Sequence, residues 1–345
     1  MCSSDLLATL QGRLRPEEAV LEFHTVDDQL VMWVIRRDTL TARVLPVALA
    51  DLTREVDDFR RSIIERRRDA LSRGQALYAK LVAGNELGNA SRVFVVPHGP
   101  LHYLPFQALH DGQAYLVEKV SLAMWPSASV GSLLWTRPAR PINTLVAFGN
   151  PATSENVPLP GAEREVAEVA QLFKDKQVYI QQEASKPTFK QKANLSAVLH
   201  VAAHAEVDDV DPLFSRILLA SDGQERGLLE AREVYGLQLK DVSLVTLSAC
   251  ESGLGKVDKG DEIIGFTRSF LSAGVSSIVA SLWPVADDAT EALMTRLYGS
   301  MTQGADLMDA MRAAQLDVLK RRKFAHPFFW APFNVIGNGR MQLAS

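Results

Sequence analysis

The sequence predicts an α/β protein whose second part is a mainly parallel sheet with helices on both faces. Three observations predict it. From Ile142 onward, β-branched and apolar runs alternate with stretches whose apolar residues fall at helical spacing, the pattern of strands joined by crossover helices. Val93–Val96 is an uninterrupted apolar run, as a buried strand requires. Two further apolar strands stop at chemically reactive residues, His204 and Cys250, and sites in open parallel sheets form at the carboxyl ends of strands.

In chain order, Val20–His24 and Leu30–Ile35 are rich in branched and aromatic residues, with Asp27 and Asp28 between them as a turn, and Thr41–Val47 is a third strand candidate. From Ala48 to Val82, Leu52, Val56, Phe59, Ile63, Leu71, Leu77 and Leu81 predict one long helix, which Gly84, Gly88 and Asn89 end. The strand Arg92–Val96 runs into the turn-rich Pro97–Pro105, and Tyr115–Met124 reads as a short hairpin or two edge strands. Arg137–Pro141 reads as a linker, giving parts 1–140 and 141–345. Beyond it, strands are expected at Ile142–Phe148, Val178–Gln181, Ala197–Ala203, Ser215–Ala220, Val242–Ala249, Ser276–Leu282 and Ala331–Ile336. Helices are expected at Gly161–Phe173, Glu262–Ala273, Ala286–Met301 and Ala305–Lys320.

Composition narrows the function classes. A net charge of -4 on 345 residues gives no reason to expect nucleic acid or an anionic membrane as partner. No apolar stretch approaches a membrane span, and the first residues carry no basic segment followed by an apolar run, so no signal peptide is expected. The two cysteines, Cys2 and Cys250, are not expected to pair; a reducing, cytoplasmic setting follows.

His204 and Cys250 suit nucleophilic thiol chemistry. The thiolate is the nucleophile, and a neighbouring imidazole makes it accessible near neutral pH. The tetrahedral intermediate needs main-chain N–H donors, for which Cys250 and Ala205 are the candidates. A lone cysteine in an apolar strand is usually a small buried residue. The polar, glycine-rich stretch Glu251–Gly260 that follows this one points instead to a site, with a gating loop over Glu251–Asp261. His200 and His204 have the spacing of a metal pair on a helix, but their flanks favour a strand. His200 is therefore read as a buried histidine in the core or behind the site. His98 and His102 are read as structural. Gly253-Leu-Gly-Lys256 lacks the spacing of a phosphate loop. Asp208, Asp209 and Asp211 suit a pocket for a basic residue, a calcium site or a solvated loop. Ser281, Leu282 and Trp283 suit a strand edge to which an extended peptide adds, with Trp283 alternatively in the core. Asp287 and Asp288 suit a helix N-terminus.

Leu199-His-Val-Ala-Ala-His204 resembles the histidine motif of the CHAT domain family, caspase-like peptidases often fused to tetratricopeptide repeats, and Leu247-Ser-Ala-Cys-Glu-Ser-Gly-Leu-Gly255 resembles its cysteine motif. Gly260–Gly274, Ser281–Thr290 and His326–Phe333 are similar to its later blocks, and the resemblance runs from near Arg15 over nearly all the chain. It implies a caspase-like α/β fold in which 1–140 is a degenerate half, most recognisable at Val93–Phe106, and 141–345 the catalytic half. It also implies His204 as general acid/base, Cys250 as nucleophile, and no cofactor or metal. The expected activity is that of a cysteine endopeptidase acting on protein or peptide, with a separate regulatory chain as a possible partner; the alternative is a non-catalytic scaffold of the same fold. The family usually has glycine after the histidine. Ala205 stands there, which raises the question of backbone strain at an oxyanion donor.

Overall fold

The computed structural model describes residues 3–343 except 27–28, 46, 83–86, 138–142, 154–157, 207, 209, 249, 252–261 and 285–286. Helix α1 (Ser3–Arg13) leads into an antiparallel meander of β1 (Glu18–Val26), β2 (Gln29–Ile35) and β3 (Leu40–Leu45). The expected single helix over 48–82 is two helices, α2 (Leu49–Ile64) and α3 (Ala70–Leu81). The chain reverses between them at Arg66, which has φ 53°. The Ser62 hydroxyl bonds Asp69 at 2.5 Å across the break. The apolar period continues through this turn because both helices bury apolar residues and pack against each other, so period alone conceals the break.

β4 (Arg92–Val96) is buried along its whole length and lies parallel to β1. The expected hairpin over Tyr115–Met124 is instead a short helix α4 (Leu116–Lys119) followed by β5 (Ser121–Met124), an interior strand parallel to β4. Helix α5 (Ala128–Leu134) follows, and the expected boundary at 140/141 lies outside the described residues.

The second part alternates as its pattern predicts. Its elements are β6 (Thr144–Pro151), α6 (Pro160–Gln171), β7 (Asp175–Gln181), α7 (Lys186–Lys192), β8 (Val198–Ala202), β9 (His204–Glu206), β10 (Arg216–Leu218), β11 (Leu228–Glu230), α8 (Ala231–Tyr235), β12 (Leu244–Leu247) and β13 (Cys250–Glu251). Then come α9 (Glu262–Ala273), β14 (Ser277–Ser281), α10 (Asp287–Thr302), α11 (Leu307–Lys320), α12 (Pro327–Trp330) and β15 (Phe333–Gly337). Gly274 makes the turn from α9 into β14 at φ +114°, where an added Cβ would sit 2.7 Å from the Lys240 Cα.

Eleven strands form one sheet in the order β3-β2-β1-β4-β5-β15-β14-β12-β8-β6-β7. β6, β7, β8, β12 and β14 are mutually parallel, while β15 is antiparallel to β14 and parallel to β5. The last strand of the second part thus joins the strands of the two parts. Side chains reinforce that seam. The Trp125 indole donates to the Gly337 carbonyl at 3.0 Å, and Gln107 donates to the Ala331 carbonyl at 2.5 Å and to Asn334 Oδ1 at 3.1 Å. Below them Arg92, itself buried, pairs with Asp306 at 2.6 Å, with Asp309, and with Glu18 at 3.5 Å, while Arg340 also bonds Glu18 at 2.9 Å. Among the described residues no helix is long and apolar enough to cross a membrane.

Candidate functional site

The site is built where two parallel neighbours of the large sheet leave it together. β8 ends at Ala202 and β12 at Leu247, earlier than the expected ends at Ala203 and Ala249. The last main-chain tie between them is Ser248 N–H to the Val201 carbonyl at 2.9 Å. Both segments then enter a second sheet of four short strands, in the order β11-β10-β9-β13. His204 opens β9 and Cys250 opens β13, and the two strands run parallel with Cys250 opposite His204 and Glu251 opposite Ala205. Adjacent strands are about 4.8 Å apart, so the register sets the two residues side by side at the carboxyl edge of β8 and β12. His204 is half-buried, and Cys250 is described by its backbone.

Ala205 lies between Ile217 of β10 and Glu251 of β13. It is not among the residues with positive φ, so the strain that the missing glycine suggested is absent. Asp208 turns inward on its own loop: its Oδ1 accepts the N–H groups of Val210 at 3.0 Å and Asp211 at 2.9 Å. This is an Asx-type turn and a sufficient structural reason for the residue. The expected gating loop over Glu251–Asp261, apart from the backbone of Glu251, lies outside the described residues.

The expected substrate edge at Ser281–Trp283 is corrected. β14 is interior, with β12 on one side and β15 on the other. Ser281 faces Phe333 in the ladder, and the Leu282 N–H already donates to the Pro332 carbonyl at 2.8 Å. An incoming strand finds that side occupied. Leu282 is buried, and Trp283 is 3% exposed with its indole N–H donating to the Phe328 carbonyl at 3.0 Å. Of the two readings of Trp283, the structure gives the core.

His200 is buried on β8. Its Nε2 lies 3.0 Å from Glu165 Oε1 and its Nδ1 3.1 Å from the Tyr298 hydroxyl. Glu165 is 4% exposed on α6, and its Oε2 accepts from the Ser248 hydroxyl at 3.0 Å. The Tyr298 hydroxyl also meets Thr246 Oγ1 at 2.7 Å. Burial pushes the Tyr298 phenol well above its ordinary value, so it stays protonated. Sequence reasoning did not single out Glu165, Ser248 or Tyr298. One signal was present: Glu165 falls on the apolar face of α6, among Ala162, Val166 and Val169, where an unpaired carboxylate is rarely found. His98 and His102 lie by the Pro97–Pro105 turns of the first part. His98 Nδ1 accepts from Thr25 N–H at 3.3 Å, and burial, with His24 nearby, holds its pKa below the ordinary histidine range.

Comparison with known proteins identifies the fold and the family. Two solved structures share the fold. The separase of the Saccharomyces cerevisiae separase–securin complex aligns with a TM-score of 0.60 at 11% identity, covering 97% of this chain and 30% of that one. The Arg-specific cysteine proteinase gingipain R aligns with a TM-score of 0.51 at 10% identity, covering 85% and 75%. At such identities the likeness is one of fold, and it makes the fold caspase-like. Tetratricopeptide repeat protein 28 of Homo sapiens is 28% identical over 76% of this chain, and that of Mus musculus 27% identical over 80%. The chain spans only 13% and 14% of the length of these relatives. Residues 71–338 match the CHAT domain, which takes in β4, both sheets' site strands and the closing strand β15; the chain belongs to the CHAT domain family.

Proposed function

We propose that the chain is a cysteine endopeptidase in which Cys250 is the nucleophile and His204 its proton partner. The observation that carries the reading is the register of β9 and β13, which pairs Cys250 with His204 where two parallel strands leave the large sheet. The fold shared with the Arg-specific cysteine proteinase gingipain R is consistent with it.

In the proposed reaction His204 takes the Cys250 proton, and the thiolate adds to the scissile carbonyl of a protein or peptide. The Cys250 N–H and the Ala205 N–H are the proposed donors to the tetrahedral oxyanion. Collapse breaks the C–N bond, and the amine leaves with the proton that His204 held. Water, deprotonated by His204, then hydrolyses the thioester to release the acid and restore the thiol. The substrate main chain must pair somewhere other than Ser281–Leu282. A separate chain is the proposed regulator, and the cytoplasm, where a lone thiol stays reduced, the proposed setting.

The test is alkylation. Iodoacetamide near neutral pH should label Cys250 quickly in the wild type and slowly in His204→Ala, with Cys2 as internal reference for an ordinary thiol. Equal labelling of Cys250 in both proteins would remove the dyad and leave a non-catalytic scaffold of the same fold.

A further inference from the structure

Behind the two strand ends, five buried side chains make one unbroken chain of hydrogen bonds: Thr246, Tyr298, His200, Glu165 and Ser248. An ionised carboxylate only accepts. The His200 Nε2–H and the Ser248 hydroxyl therefore both donate to Glu165, one to each oxygen. His200 Nδ1 meets the Tyr298 hydroxyl, and that hydroxyl meets Thr246 Oγ1, so the chain continues from the imidazole to the threonine. The five side chains are satisfied by one another, which is what their burial demands.

The placement of this chain matters more than its completeness. His200 is four residues before His204 on the segment that forms β8 and then β9. Ser248 is two residues before Cys250 on the segment that forms β12 and then β13. A single carboxylate on α6 thus grips both segments just before they leave the large sheet. Beyond that point β9 is held by β10 on its other side, and among the described residues the direct pairing of the two segments is short. β13 has two residues, and its pairing with β9 covers two positions. So short a ladder specifies its register weakly, and a slip of one residue would turn the wrong side chain toward the site.

We infer that Glu165, acting through Ser248 and His200, is a positioning residue that sets Cys250 opposite His204. The inference rests on the Cys250–His204 reading above, for which it names the device that holds the pair. Glu165 takes no part in the bond-making steps. Its carboxylate fixes the two strand ends from behind, so that Cys250 stays in register with His204.

The experiment compares wild type, Ser248→Ala, Ser248→Thr and Glu165→Gln, each first shown to be folded by circular dichroism. Two readouts are taken. One is the rate of iodoacetamide labelling of Cys250 relative to Cys2. The other is amide hydrogen exchange in peptides spanning His204–Glu206 and Cys250–Glu251. Ser248→Ala should lower the Cys250 rate by about 10²-fold, the usual consequence of misplacing a reacting group by an ångström, and should speed exchange in both peptides. Ser248→Thr, which keeps the hydroxyl, should restore both. Glu165→Gln keeps an acceptor for His200 and a donor for Ser248, and should fall between them. The inference is overturned if folded Ser248→Ala matches wild type in both readouts, or if threonine does not restore what alanine removes. If wild-type labelling proves independent of His204, the peptidase reading fails by itself. Exchange then decides the positioning role: faster exchange in Ser248→Ala supports it, and unchanged exchange ends it.

Discussion

Trp283→Ala separates a core residue from a substrate contact in one variant. The side chain is 3% exposed and its indole N–H is bonded to the Phe328 carbonyl. Burying a tryptophan removes roughly 150–250 Å² from water, which at about 25 cal/mol/Å² corresponds to about 4–6 kcal/mol. Residual burial in the unfolded chain lowers that figure by roughly 10–40%. The expected loss is then about 3–5 kcal/mol, the range found for truncating large buried aromatics. Trp283→Phe keeps most of the volume and removes the donor, leaving the Phe328 carbonyl unpaired, and should cost about 1–3 kcal/mol. Urea unfolding followed by circular dichroism measures both, with the midpoint compared at constant slope. Cleavage of a peptide library by the same proteins, at a temperature where each is folded, should show an unchanged residue preference. A loss below about 1 kcal/mol together with a changed preference would refute the argument, because only a ring facing substrate gives that pair of results.

Arg92→Met should destabilise by about 3–5 kcal/mol, since it leaves Asp306 buried without its partner and weakens the hold on Glu18; adding Asp306→Asn should recover part of the loss in a thermal melt, and no recovery would dissociate the two. Ala205→Gly should leave turnover unchanged, because Ala205 has no positive φ for glycine to relieve; a clear gain in rate would show strain that the backbone does not display. Burial, with Arg66 nearby, depresses the pKa of His326, and burial with His24 nearby depresses that of His98. The Nδ1 of each accepts a main-chain N–H, from Phe328 at 3.2 Å and from Thr25 at 3.3 Å. A depressed histidine pKa means that the unfolded chain binds the proton more tightly. Their contribution is therefore complete above the unfolded value of about 6.5 and is lost as pH falls through each folded value. Melting temperatures measured downward from neutral pH should fall in that window, and less steeply in His326→Asn, whose amide can still cap Phe328; identical slopes would contradict the assignment.

What the sequence disclosed was whatever a local pattern encodes. α9 occupies Glu262–Ala273 as its spacing predicts, and β4, β8, β12 and β14 fall within or nearly within their apolar runs. The pairing of His204 with Cys250 followed from placing both at strand ends. What stayed hidden depends on neighbours distant in sequence. Ser281–Trp283 reads locally as an edge, and only β15, closing from residues 333–337, makes it interior. β5 is too short to announce an interior strand, and its place comes from β4 and β15 on either side. The place of Glu165 on the apolar face of α6 was visible in the sequence, but its partners are 35 and 83 residues away. The split of the helix at Arg66 rests on one positive φ at a residue type that does not advertise it.

The seam strand β15 also sets an order of events in synthesis. It is the last strand of the domain to leave the ribosome, yet it lies between β5 and β14 in the middle of the sheet. Until Phe333–Gly337 emerges, the strands of the two parts have nothing to join them edge to edge. The Glu18–Arg340 bond then closes across 322 residues. Contacts of such separation form late and slowly, because the chain must first lose the entropy of a long loop. A nascent chain stalled before Phe333 carries both His204 and Cys250 but not the strand that joins β14 to β5. Closure of the eleven-stranded sheet is thus withheld until translation has passed β15.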